Sequence, residues 1–249
     1  NKNFKFNNGE NYNMSIVNDD NSDIFNLFAV PLGCYNMDFK FSKDELEFLQ
    51  NQEFDKNEGN LTSKDDFILE REQLKRVRKW IDDCIVHYFD KTYCFVKNEL
   101  YITQSWTNLS KPGMFHHRHN HGNSLISGVM YIEGNDDDKI VFAHEPHLTR
   151  NGVFQFDGDY GKVTDYNSST YWMPATVGRM YLFPSQTKHE VPKVEGTKDR
   201  HSLAFNVFLR SKGFSKGLSA NVSSEMGDKL NKTFISFDET DWPSTSSYL

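Results

Sequence analysis

Hydrophobic positions recur along this chain with two different periods. Leu74, Val77, Ile81, Ile85 and Tyr88 return at spacings of three and four, which places them on one face of a helix spanning about residues 68 to 90. Upstream, "SKDELEFLQNQ" opens with Ser42 and carries Glu45 three positions later. That is the reciprocal capping pattern that starts a short helix. From about residue 93 the period changes to two. "YITQSWTN", "LISGVMYIEG", "KIVFAH", "GVFQF", "VGRMYLFPS" and "HSLAFNVFLR" read as strands, separated by the turn-rich "EGNDDDK" and "FDGDYG". "IFNLFAVPLGCYNMDF", residues 24 to 39, is apolar and β-prone with a proline break, and predicts one or two more. Helices followed by many short strands predict a mainly β fold, a sandwich or jelly roll buttressed by N-terminal helices.

The pattern also divides the chain. Residues 1–23 are polar and Asn-rich and predict a lead-in without a core of its own. Residues 24–210 form one domain, with helical support over 42–90 and a β core over 93–210. Residues 211–249 are Ser-rich and read as an extension, with "KTFISF" as one last strand. No internal repeat is visible.

Composition narrows the function classes. The 249 residues are enough to bury a sizeable core, and the 21 Phe suit a sheet-rich fold. A net charge of −7 argues against binding nucleic acid by neutralising phosphates. The one basic cluster, "LKRVRKW", falls on the predicted helix and reads as its solvated face. No apolar run approaches the roughly 18 residues that span a membrane. The three cysteines, Cys34, Cys84 and Cys94, contain no C-x-x-C. Neither a disulfide framework nor a cysteine zinc site is expected, and a reducing, cytoplasmic setting is.

The chemistry concentrates in "FHHRHNHGNS", where four of the nine histidines fall within six positions. On a strand, His117, His119 and His121 would share one face. Same-face neighbours stand about 7 Å apart, close enough for two imidazoles to converge on one ion. "YLFPSQTKHEV" supplies a further candidate ligand, His189. Arg200 then opens a strand whose period puts Arg200, Ser202, Ala204 and Asn206 on one face. An inward-facing cation is costly unless it meets an anion, which points to a bound carboxylate. Three protein ligands leave three positions open on an octahedral ion, an arrangement suited to non-haem Fe(II) with a bidentate co-substrate and dioxygen. The arginine would hold the far carboxylate of that co-substrate.

The blocks "SWTN…HNHGNSLISGVMYIEG", "LFPSQTKHEV" and "RHSLAFN", in that order and spacing, resemble the 2-oxoglutarate- and Fe(II)-dependent oxygenases common in marine bacteria and their phages. The likeness covers about residues 101 to 209, and "NLFAVPLG" is similar to the family's opening strand. It implies a double-stranded β-helix, an eight-stranded jelly roll, with the metal at one mouth of the barrel. Carried onto this chain, it puts His119, His121 and His189 on the metal positions, with no catalytic residue beyond them. It puts Arg200 on the 2-oxoglutarate position, with Ser202 and Asn108 assisting. Fe(II) and 2-oxoglutarate are the implied cofactor and co-substrate. The partners are dioxygen and a small-molecule or peptidyl substrate: a prolyl residue, an amino acid or a metabolite. For a phage-encoded protein, the location would be the host cytoplasm. The oligomeric state is open, with a homodimer among the options.

Two departures stand out. The wider superfamily has Asp or Glu at the second position of the first pair, where this chain has His121. Gly122 stands where the family usually has proline. Four further histidines, His116, His117, His144 and His147, read as pocket, loop or surface residues, with His117 as fallback ligand. "GNDDDK" reads as a charged hairpin turn, because it lacks EF-hand spacing. The aromatic-dotted stretches 144–176 and 211–249 read as candidate lids. Two other functions stay open. One is a three-histidine cupin-type dioxygenase without 2-oxoglutarate, which has no need of Arg200. The other is a non-catalytic jelly roll whose structural metal has a filled coordination sphere.

Overall fold

A computed structural model describes residues 29–94, 98–143 and 168–211. The chain divides at Val30/Pro31 into two compact units, and everything below lies in the second. The expected polar lead-in, the strands at "GVFQF" and "KTFISF", His144, His147, and most of both candidate lids lie outside the described residues.

The first strand, β1 (Gly33–Asn36), precedes α1 (Lys43–Gln50). Ser42 caps α1 as its spacing predicts: its hydroxyl accepts from the Glu45 N–H, and the Glu45 carboxylate accepts from the Ser42 N–H. Two short strands follow, β2 (Phe54–Lys56) and β3 (Leu61–Ser63). The helix expected from residue 68 begins differently. Two 3-10 turns, Ile68–Glu70 and Glu72–Leu74, precede α2 (Lys75–Thr92). Arg71 between them is extended, and its guanidinium is forked onto Asp65. The Leu69 N–H bonds the Ser105 hydroxyl at 2.9 Å instead of entering a helical ladder. The periodic residues nevertheless all reach the core: Leu74, Val77, Ile81, Ile85 and Tyr88 are each at most 2% exposed. The basic cluster is a solvated, ion-paired face, with Lys75–Glu72, Arg76–Glu45, Arg78–Asp82 and Lys79–Asp83 pairs.

The remaining strands are β4 (Asn98–Ser110), β5 (His116–His119), β6 (Ile126–Glu133), β7 (Lys139–Ala143), β8 (Thr170–Pro174), β9 (Arg179–Pro184), β10 (Lys188–Val191) and β11 (Arg200–Ser211). They form two sheets, ordered β1-β9-β6-β11-β4-β3-β2 and β5-β10-β7-β8, with every strand pair antiparallel. The eight strands from β4 onward thus form two facing four-stranded sheets, β9-β6-β11-β4 and β5-β10-β7-β8. This is the strand order of a jelly roll, and it confirms the expected double-stranded β-helix.

Alternation separates the two faces of the larger sheet. One face carries Ile126, Met130, Met180, Leu182, Leu203, Phe205 and Val207, which form one core with Val77, Ile81 and Ile85 of α2. This is the expected packing of the helices on one sheet. The other face looks into the barrel and carries Tyr131, Tyr181 and Phe183, which meet Ile140 and Phe142 of the smaller sheet. In register on that inner face are Arg200 with Ser110, Ser202 with Asn108 and Tyr131, and Asn206 with Gln104 and Ser127. The predicted common face of Arg200, Ser202, Ala204 and Asn206 is therefore real, and it faces inward.

Candidate metal and co-substrate site

Two neighbouring strands of the smaller sheet bring the histidines together. His119 at the end of β5 pairs in register with His189 of β10, and their ring centroids are 4.3 Å apart. His121 is not on the strand, contrary to the period-two expectation for His117, His119 and His121. β5 ends at His119. The chain then turns so that the His121 N–H bonds the Ser185 carbonyl at 2.9 Å. Gln186 Nε2 donates to the His121 carbonyl at 3.1 Å, and Asn120 Nδ2 donates to Gln186 Oε1 at 3.0 Å. The segment is thereby tied to the β9–β10 connection, and the His121 ring comes 5.0 Å from His119 and 5.2 Å from His189.

One ligand atom from each of His119, His121 and His189 lies within 4.8 Å of the others. Two of the rings are also oriented. Nδ1 of His119 lies 2.8 Å from the His117 carbonyl, and Nδ1 of His189 lies 3.0 Å from the Thr187 carbonyl. A carbonyl only accepts, so Nδ1 carries the proton and Nε2 keeps its lone pair, as a metal-binding imidazole needs. Burial, aided by the neighbouring imidazoles, pushes His189 down to about 3 and His121 to about 4. His119 is lowered for the same first reason. At neutral pH all three are uncharged donors gathered at one point, a set that suits a divalent transition metal. Phe183, 4.8 Å from His189, and Trp106, 5.8 Å from His121, wall the cluster with aromatic surface. His116 stacks on His119 at 4.4 Å and is a pocket residue, as expected. His117, the fallback ligand, is outside the cluster, and its Nδ1 faces the Glu58 carbonyl.

The other predicted residues converge at the anion end. Arg200 is 4% exposed. Its Nη1 donates to Asp138 Oδ1 and to the Pro192 carbonyl, each at 3.1 Å. The expectation that this inward cation needs an outside anion is thus corrected in part: the chain supplies one from β7's lead-in. Nη2 nonetheless remains buried without a partner, and so does the Tyr131 hydroxyl. Burial raises the Tyr131 phenol above its ordinary value, against the opposing charge of Arg200, so it is a proton donor. Two orphaned donors buried inside one barrel lack an acceptor. Each is a donor of the kind that a carboxylate would satisfy. Ser202 and Asn108 lie in register beside them, and Asn108 Oδ1 accepts from Asn60 Nδ2 at 3.3 Å. The Arg200 charge contributes to holding His116 down at about 3, after burial and its neighbouring histidines.

Tyr131 and Asp138 escaped the sequence reading. Tyr131 had a usable signal, since the alternation of "SGVMY" from Ser127 places it inward with Val129. Asp138 had none, because one carboxylate in "GNDDDK" is indistinguishable by pattern from its solvated neighbours.

Residues 104–206 match a family model described as "Putative 2OG-Fe(II) oxygenase". No curated protein matches the chain significantly. Among solved structures, an oxidoreductase of the 2OG-Fe(II) oxygenase family from Burkholderia pseudomallei superposes at a TM-score of 0.46 with 12% identity, over 64% of this chain and 73% of that one. A Pseudomonas putida prolyl-4-hydroxylase gives 0.45 and 14%, over 73% and 93%. HygX from Streptomyces hygroscopicus, with nickel, 2-oxoglutarate and hygromycin B bound, gives 0.48 and 11%, over 75% and 85%. The fold assignment rests on the strand order, not on these likenesses. The family match falls on the segment that carries the histidine cluster, the inward arginine and its orphaned donors, and over that segment the chain is similar to the 2OG-Fe(II) oxygenases.

Proposed function

We propose that the chain is a hydroxylase in which His119, His121 and His189 hold Fe(II) and Arg200 receives 2-oxoglutarate. The observation that carries this reading is the coexistence, in one barrel, of three neutral imidazoles within 4.8 Å and two buried donors without an acceptor. When bound, iron and 2-oxoglutarate supply the oxidation: dioxygen is consumed, 2-oxoglutarate becomes succinate and carbon dioxide, and a substrate C–H becomes C–OH.

The chain's own part is binding, orientation and exclusion of water. Carbonyls 117 and 187 fix the tautomer and aim of two ligand rings. Arg200 Nη2 and the Tyr131 hydroxyl would donate to the far carboxylate, with Ser202 and Asn108 alongside. A third histidine in place of a carboxylate leaves the bound ion one unit more positive, which strengthens its hold on anionic ligands. Phe183, Phe142 and Trp106 line the histidine cluster with aromatic surface and so reduce its contact with water.

The substrate is a peptidyl prolyl residue, an amino acid or a small metabolite. Three cysteines without a C-x-x-C or a bridge between them suit a cytoplasmic location, and the motif blocks suit the marine-bacterial or phage origin that the resemblance implies. Among the described residues no helix is long and apolar enough to cross a membrane. The test is uncoupled turnover: Fe(II)-loaded protein should convert 2-oxoglutarate to succinate slowly without substrate, and His189→Ala should not. Equal succinate from both proteins would overturn the reading.

A further inference from the structure

We infer that Asp138 is a positioning residue, the fixed anion that aims Arg200 so that one side of its guanidinium faces 2-oxoglutarate. This rests on the reading of Arg200 given above, and extends it to a loop with no part in the motif blocks.

The contacts on the Asp138 carboxylate divide its two oxygens. Oδ1 accepts from Arg200 Nη1 at 3.1 Å. Oδ2 accepts from the Asn135 backbone N–H at 2.7 Å and from Asn135 Nδ2 at 3.1 Å. Asn135 is itself held across the barrel end: its Nδ2 donates to the Lys198 carbonyl at 2.9 Å, and its Oδ1 accepts from the Lys198 N–H at 3.0 Å. Lys198 is two residues before Arg200. The loop before β7 therefore grips the loop before β11 twice, once through its backbone and once through the guanidinium.

Glycines clear the space for this clamp. A Cβ at Gly196 would lie 2.2 Å from Asn135 Cγ, and a Cβ at Gly134 would lie 3.0 Å from Asp138 Oδ2. The Ala175 N–H donates to the Asp138 carbonyl at 2.8 Å, which ties the same residue to the end of β8. The ion pair is enclosed, with side-chain exposures of 4% for Arg200 and 3% for Asp138. An exposed pair of this kind would fix little, because water competes for both partners. Here the carboxylate takes three hydrogen bonds, one from Arg200 and two from Asn135, and the Pro192 carbonyl takes a second contact on Nη1. The guanidinium plane is thus set before any ligand arrives, with Nη2 left over. Preorganisation of this kind is where a rigid anion site gains its selectivity.

Both oxygens of Asp138 face donors, so asparagine is a poor substitute: its NH2 would oppose either Arg200 or Asn135. The experiment is calorimetric binding to the Fe(II)-loaded protein under anaerobic conditions. Two probes are compared: 2-oxoglutarate, and 2-oxobutyrate, which keeps the chelating end but lacks the far carboxylate. Wild type should prefer 2-oxoglutarate. Asp138→Asn should reduce that preference by on the order of tenfold, while leaving 2-oxobutyrate affinity and iron stoichiometry unchanged. Asn135→Ala, which removes the side-chain clamp but not the ion pair, should reduce it less, by about threefold. In an Arg200→Ala background, Asp138→Asn should change nothing further, because its effect passes through the arginine.

Full discrimination in either folded single variant would overturn the inference. Equal loss of both probes in Asn135→Ala would also overturn it, because that is the signature of general structural damage. If Arg200→Ala abolishes the preference and Asp138→Asn does not, only the role of Asp138 fails. If Arg200→Ala itself leaves the preference intact, the anion site is misassigned.

Discussion

The ring of Phe205 on β11 fills the space that a side chain on Gly128 of β6 would need. A Cβ at 128 would lie 2.2 Å from Phe205 Cζ and 2.4 Å from Cε2. This contact sits on the helix-facing side of the larger sheet, where Phe205 is fully buried, and it couples two strands whose opposite faces carry Tyr131, Ser202 and Arg200. Gly128→Ala should therefore destabilise the fold by about 1–3 kcal/mol through overpacking. A urea titration measures it. Phe205→Leu in the same chain should relieve part of the loss; a Gly128→Ala protein as stable as wild type would show that the strands shift apart freely.

His189→Ala removes the most buried member of the histidine cluster, which is 6% exposed. Affinity for Fe(II), or for Zn(II) as a redox-silent probe, should fall by at least about 100-fold. His117→Ala should leave the affinity within about threefold, because His117 lies outside the cluster. Competition against a metallochromic chelator separates the two.

Burial holds His201 down at about 4. It lies on the helix-facing side, 2% exposed, against Phe54. A histidine whose folded value is below its unfolded one binds its proton more readily when unfolded. Its contribution to stability is complete above the unfolded value of about 6.5 and is lost as pH falls toward the folded value of about 4. His116, His121 and His189 act in the same direction. The apoprotein should lose stability steadily between those limits, and His201→Phe should flatten the slope. Identical slopes of Tm against pH for the two proteins would contradict this assignment.

Glu45 closes the α1 cap and also accepts from Arg76. Burial raises its carboxyl, but Arg76 and the Ser42 N–H outweigh it and hold the group below its ordinary value. Glu45→Gln should cost about 1–2 kcal/mol at pH 7. The difference from wild type should shrink as acid protonates Glu45 in the native protein. A loss that persists unchanged at low pH would show that packing, not charge, is what Glu45 supplies.

The elements legible in the sequence were those long enough for a period to repeat. α1 and α2, and strands β4, β6, β7, β9 and β11, all present several same-face residues to a core. Strands β2 and β3 have three residues each and sit in a polar stretch, too short for alternation to register. β8 (Thr170–Pro174) was hidden in a candidate lid: it lies at the sheet edge, and its Tyr171 and Trp172 are both 61% exposed. The same limit applies at the site. His119, His189, Arg200, Ser202 and Asn108 lie on strands, and their orientation follows from register. His121 is placed by backbone bonds to Ser185 and Gln186, and Asp138 by contacts across two loops. Those contacts are non-local, and no spacing encodes them.

The most direct test of the account is an anaerobic titration of the protein with Fe(II) and then 2-oxoglutarate, following the visible charge-transfer band of the chelate in wild type and Arg200→Ala. The account predicts a saturable band in wild type at one iron per chain, and in the variant a band that needs at least about tenfold more 2-oxoglutarate. Iron bound at His119, His121 and His189 with no band at any 2-oxoglutarate concentration would contradict it, and would instead fit a three-histidine dioxygenase that uses no such co-substrate.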